Sequence, residues 1–237
     1  MNRGFLYGDG FFETIRIIDG QTPLLSFHID RIHDAIEIYG YKPEFTVDED
    51  LIRNVAKSYD LNGILRINFF RDGVGTYLPE SNGLAFDHSF KPATHQFYAP
   101  ISLDLAAELD KAPKHLGSIG IYDKPKPKVD WLTVKSLSSI YYVLAAKKKQ
   151  ELNTDYLLIK NENNELCEEV SSNIILTKGE DIIVPDLDSG GVLGATQRLI
   201  LSNYSFQLDV KVVSIDELNS FDKIYLTRGT RGVFRIK

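Results

Sequence analysis

Val134-Lys135-Ser136-Leu137 sets a single lysine between apolar neighbours, with Trp131 and Leu132 just ahead of it and an apolar run at helical spacing behind it. Such surroundings disfavour a charged ammonium and push a lysine toward the neutral, nucleophilic amine. A solvated surface lysine is the ordinary alternative for one position taken alone. The reading therefore depends on its company. Downstream lie Glu168, within Leu166-Cys167-Glu168-Glu169-Val170-Ser171-Ser172-Asn173, and the turn Gly191-Val192-Leu193-Gly194-Ala195-Thr196, which leads into a helix.

Composition narrows the classes that remain. A chain of 237 residues, 43% apolar and 25% charged, has the balance of an ordinary globular protein. It is long enough for one large domain or two modest ones, burying about 70–75% of its unfolded surface. No apolar run has the length of a membrane span. Met1 is followed at once by Asn2-Arg3-Gly4-Phe5 with no apolar h-region, so a secretory signal is not expected and a cytoplasmic location is. The net charge of −6 argues against a nucleic-acid partner, because phosphate-backbone binders gather basic surface. Cys167 is the only cysteine, so no internal disulfide can form, and no Cys or His spacing predicts a metal site.

Outward from the lysine toward the N-terminus, Lys124-Pro125-Lys126-Pro127-Lys128 reads as a solvated linker, since each proline removes a donor and extends the residue before it. That predicts an α+β lobe over 1–123, a linker over 124–130 and a second lobe over 131–237. In the first lobe Gly8-Asp9-Gly10 turns into a strand running to Ile18. Glu13 stands where a third dinucleotide-loop glycine would be, and a strand follows instead of a helix, which speaks against nucleotide binding. Asp19-Gly20 predicts a hairpin turn and Ser26 a helix cap, with Ile29, Ile32, Ile36 and Tyr39 at helical spacing before Gly40. His28 falls near the buried face, as a satisfied core or positioning histidine and not a catalytic base. Arg31 falls at its margin, as a snorkelling surface arginine or an anion ligand.

A second helix is predicted over Val47 to Ser58, then strands at Gly63 to Phe70, Leu84 to Phe86 and Gln96 to Ser102. Arg71-Asp72-Gly73-Val74-Gly75 reads as a turn, and Leu103 to Lys114 carries no clear signal. In the second lobe an apolar stripe through Leu137, Ile140, Tyr141, Leu144, Ala145 and Leu152 predicts a helix ending in Lys147, Lys148 and Lys149, whose charges suit its negative end. Strands are predicted at Tyr156 to Lys160, Asn173 to Thr177, Asp181 to Val184 and Lys223 to Leu226, and a helix at Thr196 to Ser202.

Pyridoxal phosphate requires an amine for its aldehyde, an acid beside its ring nitrogen and donors for a dianionic phosphate. Lys135, Glu168 and the helix-initiating amides of Ala195 and Thr196 are one candidate for each. Together with Arg3 to Glu13 and His28-x-x-Arg31, these motifs resemble, in order and spacing over about Arg3 to Val233, the class IV aminotransferases. Those are the two-lobed, fold-type IV pyridoxal-phosphate enzymes with the cofactor between the lobes, a group that includes branched-chain and D-amino-acid aminotransferases and aminodeoxychorismate lyase.

The resemblance implies that Lys135 holds the cofactor and shuttles the proton at the α carbon. It also implies that Glu168 contacts the pyridine nitrogen, that Arg31 with the Ala195 and Thr196 amides holds the phosphate, and that Phe12 lies on the substrate side. It further implies a homodimer. The departures are the near-absence of sequence ahead of Arg3, which would alter one sheet edge, Ser138 where an asparagine is common, and Gly229 where a phosphate-side hydroxyl is common, with Thr227 and Thr230 as substitutes. Thr76-Tyr77-Leu78 replaces the Arg-x-His trap of D-amino-acid transaminases. Arg71, Arg228 and Arg231 are the candidates to hold a substrate carboxylate. The resemblance thus implies an aminotransferase acting on an amino acid and a 2-oxo acid. Its alternatives are a lyase that eliminates pyruvate from aminodeoxychorismate and a pyridoxal-binding protein without turnover.

Overall fold

The computed structural model describes residues 2–59 and 61–237. The chain forms two compact units, Met1–His95 with Asp130–Ser139, and Gln96–Val129 with Ile140–Lys237. This differs from the expected boundaries. Residues 96–129 make their pairings within the second unit, through the Tyr98–Gly232 bridge and a strand at 119–121. Residues 130–139 return to the first unit by pairing with its opening strand.

In the first unit a short helix α1 (Arg3–Tyr7) precedes β1 (Gly10–Ile17), followed by α2 (Leu25–Tyr39), α3 (Glu49–Ala56), β2 (Gly63–Arg71) and β3 (Leu84–Pro92). The three strands form one antiparallel sheet in chain order. Alternate residues of β1, Phe11, Ile15 and Ile17, join Ile29 and Ile32 of α2 and Leu65, Ile67 and Phe69 of β2 in a single buried cluster. Each such side chain contributes roughly 1.5–3 kcal/mol by leaving water. The expected Ser26 cap is corrected: the capping position is Leu24, in left-handed backbone with no side-chain cap, and Ser26 lies inside the first turn. Asp19 and Gly20 both have positive φ, as the hairpin-type turn at this place requires.

The second unit contains α4 (Leu105–Lys111), β4 (Ile119–Ile121), α5 (Ile140–Glu151), β5 (Tyr156–Lys160), β6 (Leu166–Glu169), β7 (Asn173–Lys178), β8 (Asp181–Pro185), α6 (Ala195–Tyr204), β9 (Asp209–Lys211), β10 (Lys223–Arg228) and β11 (Gly232–Arg235). Five strands form a sheet in the order β11-β10-β7-β8-β9, and three form a smaller one, β4-β5-β6. Both faces of the larger sheet are covered. Ile174, Leu176 and Ile224 pack against Leu158 and Leu166 of the smaller sheet, while Ile175 and Tyr225 pack with Leu105 and Leu109 of α4 and Ile200 of α6. Burial on both faces explains the unbroken apolar runs of β7 and β8.

Two expectations are corrected here, and one unassigned stretch is resolved. Gln96 to Ser102 is not a strand, since only Tyr98 makes a bridge. Leu103 to Lys114 holds α4, whose Asp104 side chain caps the Ala107 amide. The predicted helix from Leu137 begins at Ile140, and its stripe is not a core stripe: among its residues only Ala145 is buried, and Ile140, Val143 and Leu144 stand in solvent. No helix among the described residues is long and apolar enough to cross a membrane.

Candidate active site

The candidate residues fall into two sets, one in each unit. In the first, the Lys135 segment lies along β1: the Phe12 amide donates to the Lys135 carbonyl at 2.8 Å, and the Leu137 amide donates to Gly10 at 2.8 Å. Gly10 permits this approach, since a Cβ there would stand 2.6 Å from a Leu137 methyl and 2.4 Å from the Phe69 carbonyl. Ser136 takes a hydrogen bond from the Tyr39 hydroxyl at 2.7 Å on the helix-covered face. Strand alternation then gives Lys135 the opposite face, with Phe12. Its Nζ lies 4.7 Å from the centre of the Phe12 ring, which also receives the Arg66 guanidinium at 3.7 Å. Ser138, which takes the place of the common asparagine, donates its hydroxyl to the Gly8 carbonyl.

Glu13, two positions from Phe11 on the buried face of β1, carries a buried charge that its reading as a break in a dinucleotide loop does not predict. Its Oε2 meets His28 Nδ1 at 2.7 Å, and its Oε1 pairs with Arg31 Nη2 at 2.9 Å, all three residues being buried. The three-residue spacing of His28 and Arg31 puts both on one side of α2. Burial pushes the Glu13 carboxyl up, but Arg31, His28 and Lys135 together outweigh it and hold the group below its ordinary value. His28 is thus a buried histidine satisfied by Glu13, one of the two roles expected of it, and Arg31 is a buried, paired arginine, not a snorkelling one. The electrostatics near Lys135 include this carboxylate and the face of Phe12 as well as apolar neighbours.

Each of the three Arg71 nitrogens makes a hydrogen bond within the first unit. The residue spends Nε on Asp9, Nη1 on Asn82 at 2.7 Å and Nη2 on the Tyr39 carbonyl at 2.8 Å, and Arg3 shares the same Asp9. That ties the end of β2 to α2.

In the second unit β6 carries Glu168, buried, with three donors. Oε1 accepts from Lys126 Nζ at 2.7 Å and the Tyr142 hydroxyl at 2.6 Å, and Oε2 accepts from the Val192 amide at 3.0 Å. Burial, and then the Glu168 charge, raises the Tyr142 hydroxyl well above its usual range, so it stays a neutral donor. Lys126 corrects the solvated-linker reading: its exposure is 1%, while Lys124 and Lys128 on either side are exposed. Alternation along an extended chain would set Lys124, Lys126 and Lys128 on one face, so the repeat itself does not single out Lys126, and its burial follows from the Glu168 partner. Cys167 is inert, its thiol pushed up to about 12 by burial and the neighbouring carboxylate. Glu169 turns to the other face, where its Oε2 takes the Ser171 amide and hydroxyl. Arg228 donates to Ser172 and Ser171.

The turn at 191–196 is braced by Asn173, whose Oδ1 accepts from the Gly194 amide and whose Nδ2 donates to the Val192 carbonyl. A Cβ on Gly194 would stand 2.4 Å from that Oδ1. α6 follows with no side-chain cap, so the amides of its first turn have no intrahelical acceptor. Thr196 Oγ1 is buried with no hydrogen-bond partner among the described residues. Unmet amides at a positive helix end and an orphan hydroxyl fit a phosphate, and the Glu168 carboxylate fits a protonated ring nitrogen. Thr227, a suggested phosphate-side hydroxyl, instead donates to Gln197.

This chain belongs to the class IV aminotransferases, a family of pyridoxal-phosphate enzymes: residues 10–237 match the family described as Amino-transferase class IV. It is 28% identical over 244 residues to a D-alanine aminotransferase of Bacillus licheniformis, covering 99% of this chain and 80% of that protein. It is 27% identical over 236 residues to an aminodeoxychorismate lyase of Bacillus subtilis, covering 95% and 76%. Its fold is similar to the crystal structure of a Brucella abortus aminotransferase bound to the co-factor PLP, with TM-score 0.79 and 16% identity over 99% of this chain and 82% of that one.

Proposed function

We propose that this enzyme is an aminotransferase that moves an amino group between an amino acid and a 2-oxo acid. Pyridoxal phosphate, when bound, supplies the electron sink that makes an α proton removable. In this reading Lys135 Nζ holds the cofactor's aldehyde carbon and carries the proton at the α carbon. Glu168 holds negative charge at the ring nitrogen. The Ala195 and Thr196 amides with the Thr196 hydroxyl bind the phosphate, with Arg31 adding a cation. Phe12, whose ring meets the Lys135 amine, forms part of the substrate wall.

The observation that favours transamination concerns arginines. A ring-bearing substrate with two carboxylates calls for more than one anion contact, yet Arg71 is spent on Asp9, Asn82 and Tyr39, and Arg228 on Ser171 and Ser172. Only Arg231 of the three candidates makes no side-chain hydrogen bond to the described residues. One carboxylate partner suits a simple amino acid. The second reading, aminodeoxychorismate lyase, draws support from the similarity to the Bacillus subtilis enzyme. Incubation of the cofactor-loaded protein with a panel of L- and D-amino acids should bleach its near-visible absorbance, and an added 2-oxo acid should restore it. No bleaching across the panel, with release of pyruvate from aminodeoxychorismate, would reverse the ranking.

A cytoplasmic homodimer belongs to the same reading. The outward apolar residues Ile140, Val143 and Leu144 of α5 give a second copy of the chain a surface to cover. Light scattering should return twice the 26.8 kDa chain mass. A fully active monomer would remove this part of the proposal.

A further inference from the structure

We propose that Lys126 is a positioning residue that weakens the hold of Glu168 on a proton at the cofactor's ring nitrogen, and thereby sets the depth of the electron sink. The inference rests on the reading of Glu168 as the ring-nitrogen partner. Lys126 is 1% exposed and lies 2.7 Å from Glu168 Oε1, and its backbone amide is fixed to the Lys160 carbonyl at 2.8 Å. A fully buried ammonium is retained only beside a counter-charge, and Glu168 supplies one.

A carboxylate offers about four lone-pair sites. Lys126, Tyr142 and the Val192 amide fill three of them, two on Oε1 and one on Oε2. One direction remains, on Oε2, which fixes where a ring N–H can be accepted. The charge is constrained as well as the geometry. Lys126 already balances the carboxylate, so a protonated ring nitrogen would be the second cation on one anion. The other titratable groups that sense the Glu168 charge are the Tyr141 and Tyr142 hydroxyls and the Cys167 thiol, each held in its neutral form by burial first. None of them contributes charge, so Lys126 carries the effect. A ring nitrogen in this site holds its proton less tightly than one facing an unpaired glutamate, and the sink is correspondingly shallower.

The test loads wild type, Lys126→Gln, Lys126→Met, Lys126→Arg and Glu168→Gln with cofactor labelled with 15N in the ring, and reads ring protonation from the 15N chemical shift across pH. Glutamine keeps an N–H donor and removes the charge, and methionine keeps only the packing. Both neutral variants should bind the ring proton about 10- to 100-fold more tightly than wild type. Arginine should stay within about threefold of wild type, because it restores the cation. Lys126→Gln or Lys126→Met with a wild-type 15N profile would overturn the proposal, provided Glu168→Gln shifts the ring toward its neutral form. If Glu168→Gln leaves the profile unmoved, it is the assignment of Glu168 to the ring nitrogen that fails. Should one neutral variant not fold, the other decides, and a deprotonated ring in either would also overturn the proposal.

Discussion

Lys135→Ala is expected to lose about 10⁴-fold in turnover, at the upper end of what one positioned proton-transfer group supplies. It should also lose every covalent link to the cofactor. Two roles converge on one atom in the proposed reading: Nζ holds the aldehyde carbon and later carries the α proton. No neighbour can replace it. The Arg66 guanidinium over the same Phe12 ring stays protonated in proteins and cannot act as a nucleophile. Borohydride treatment followed by intact-mass measurement should add the reduced cofactor's mass to wild type and not to Lys135→Ala. A variant that kept a reducible adduct would show that another amine holds the cofactor. The fold should survive, because the segment is held to β1 by backbone hydrogen bonds from Phe12 and Leu137 that an alanine preserves.

Glu13→Leu is expected to destabilise the first unit by about 3–5 kcal/mol, since it strands the buried Arg31 guanidinium and leaves His28 Nδ1 without its acceptor. For a chain of this size that corresponds to a fall of roughly 10 °C in the unfolding midpoint. A calorimetric shift of only a degree or two would mean that the cluster relaxes around the loss. The same carboxylate predicts a pH dependence. Its folded-state value lies below its ordinary 4.5, so its stabilisation is present above 4.5 and is lost as pH falls below that value through the folded-state one. Wild type should therefore lose midpoint on acidification through this window, and Glu13→Leu should lose less.

The motifs that carry chemistry were legible because each depends on local order: an amine at a fixed place in an extended segment, an acid on a strand, a glycine turn before a helix. The family and the mixed α and β architecture followed from them. What escaped was mostly set by distant partners. Lys126 reads as solvated when only its prolines are considered, and its burial is decided by Glu168, forty-two positions away. Glu13 was used to argue against a nucleotide loop, although its place among Phe11, Ile15 and Ile17 at alternate positions was a sign of inward burial. Strands β4, β6, β9 and β11 are three or four residues long, too short for a periodic signal. The helix stripe behind Lys135 had the right spacing, but spacing reports amphipathicity and not what covers the apolar side.

The return of residues 130–139 to the first unit has a consequence for synthesis. A nascent chain that has emerged as far as His95 already holds β1, β2, β3 and their two long helices, but β1 still lacks its neighbour. The backbone of Gly10 and Phe12 waits for Lys135 and Leu137, encoded some forty residues later. At about 5–20 residues per second, that edge stays open for roughly 2–8 s on the ribosome. An open strand edge is a template for pairing with another chain. Slow translation across 96–129 would lengthen the exposure and favour co-aggregation of neighbouring nascent chains. The closing of that edge is also the event that delivers the lysine.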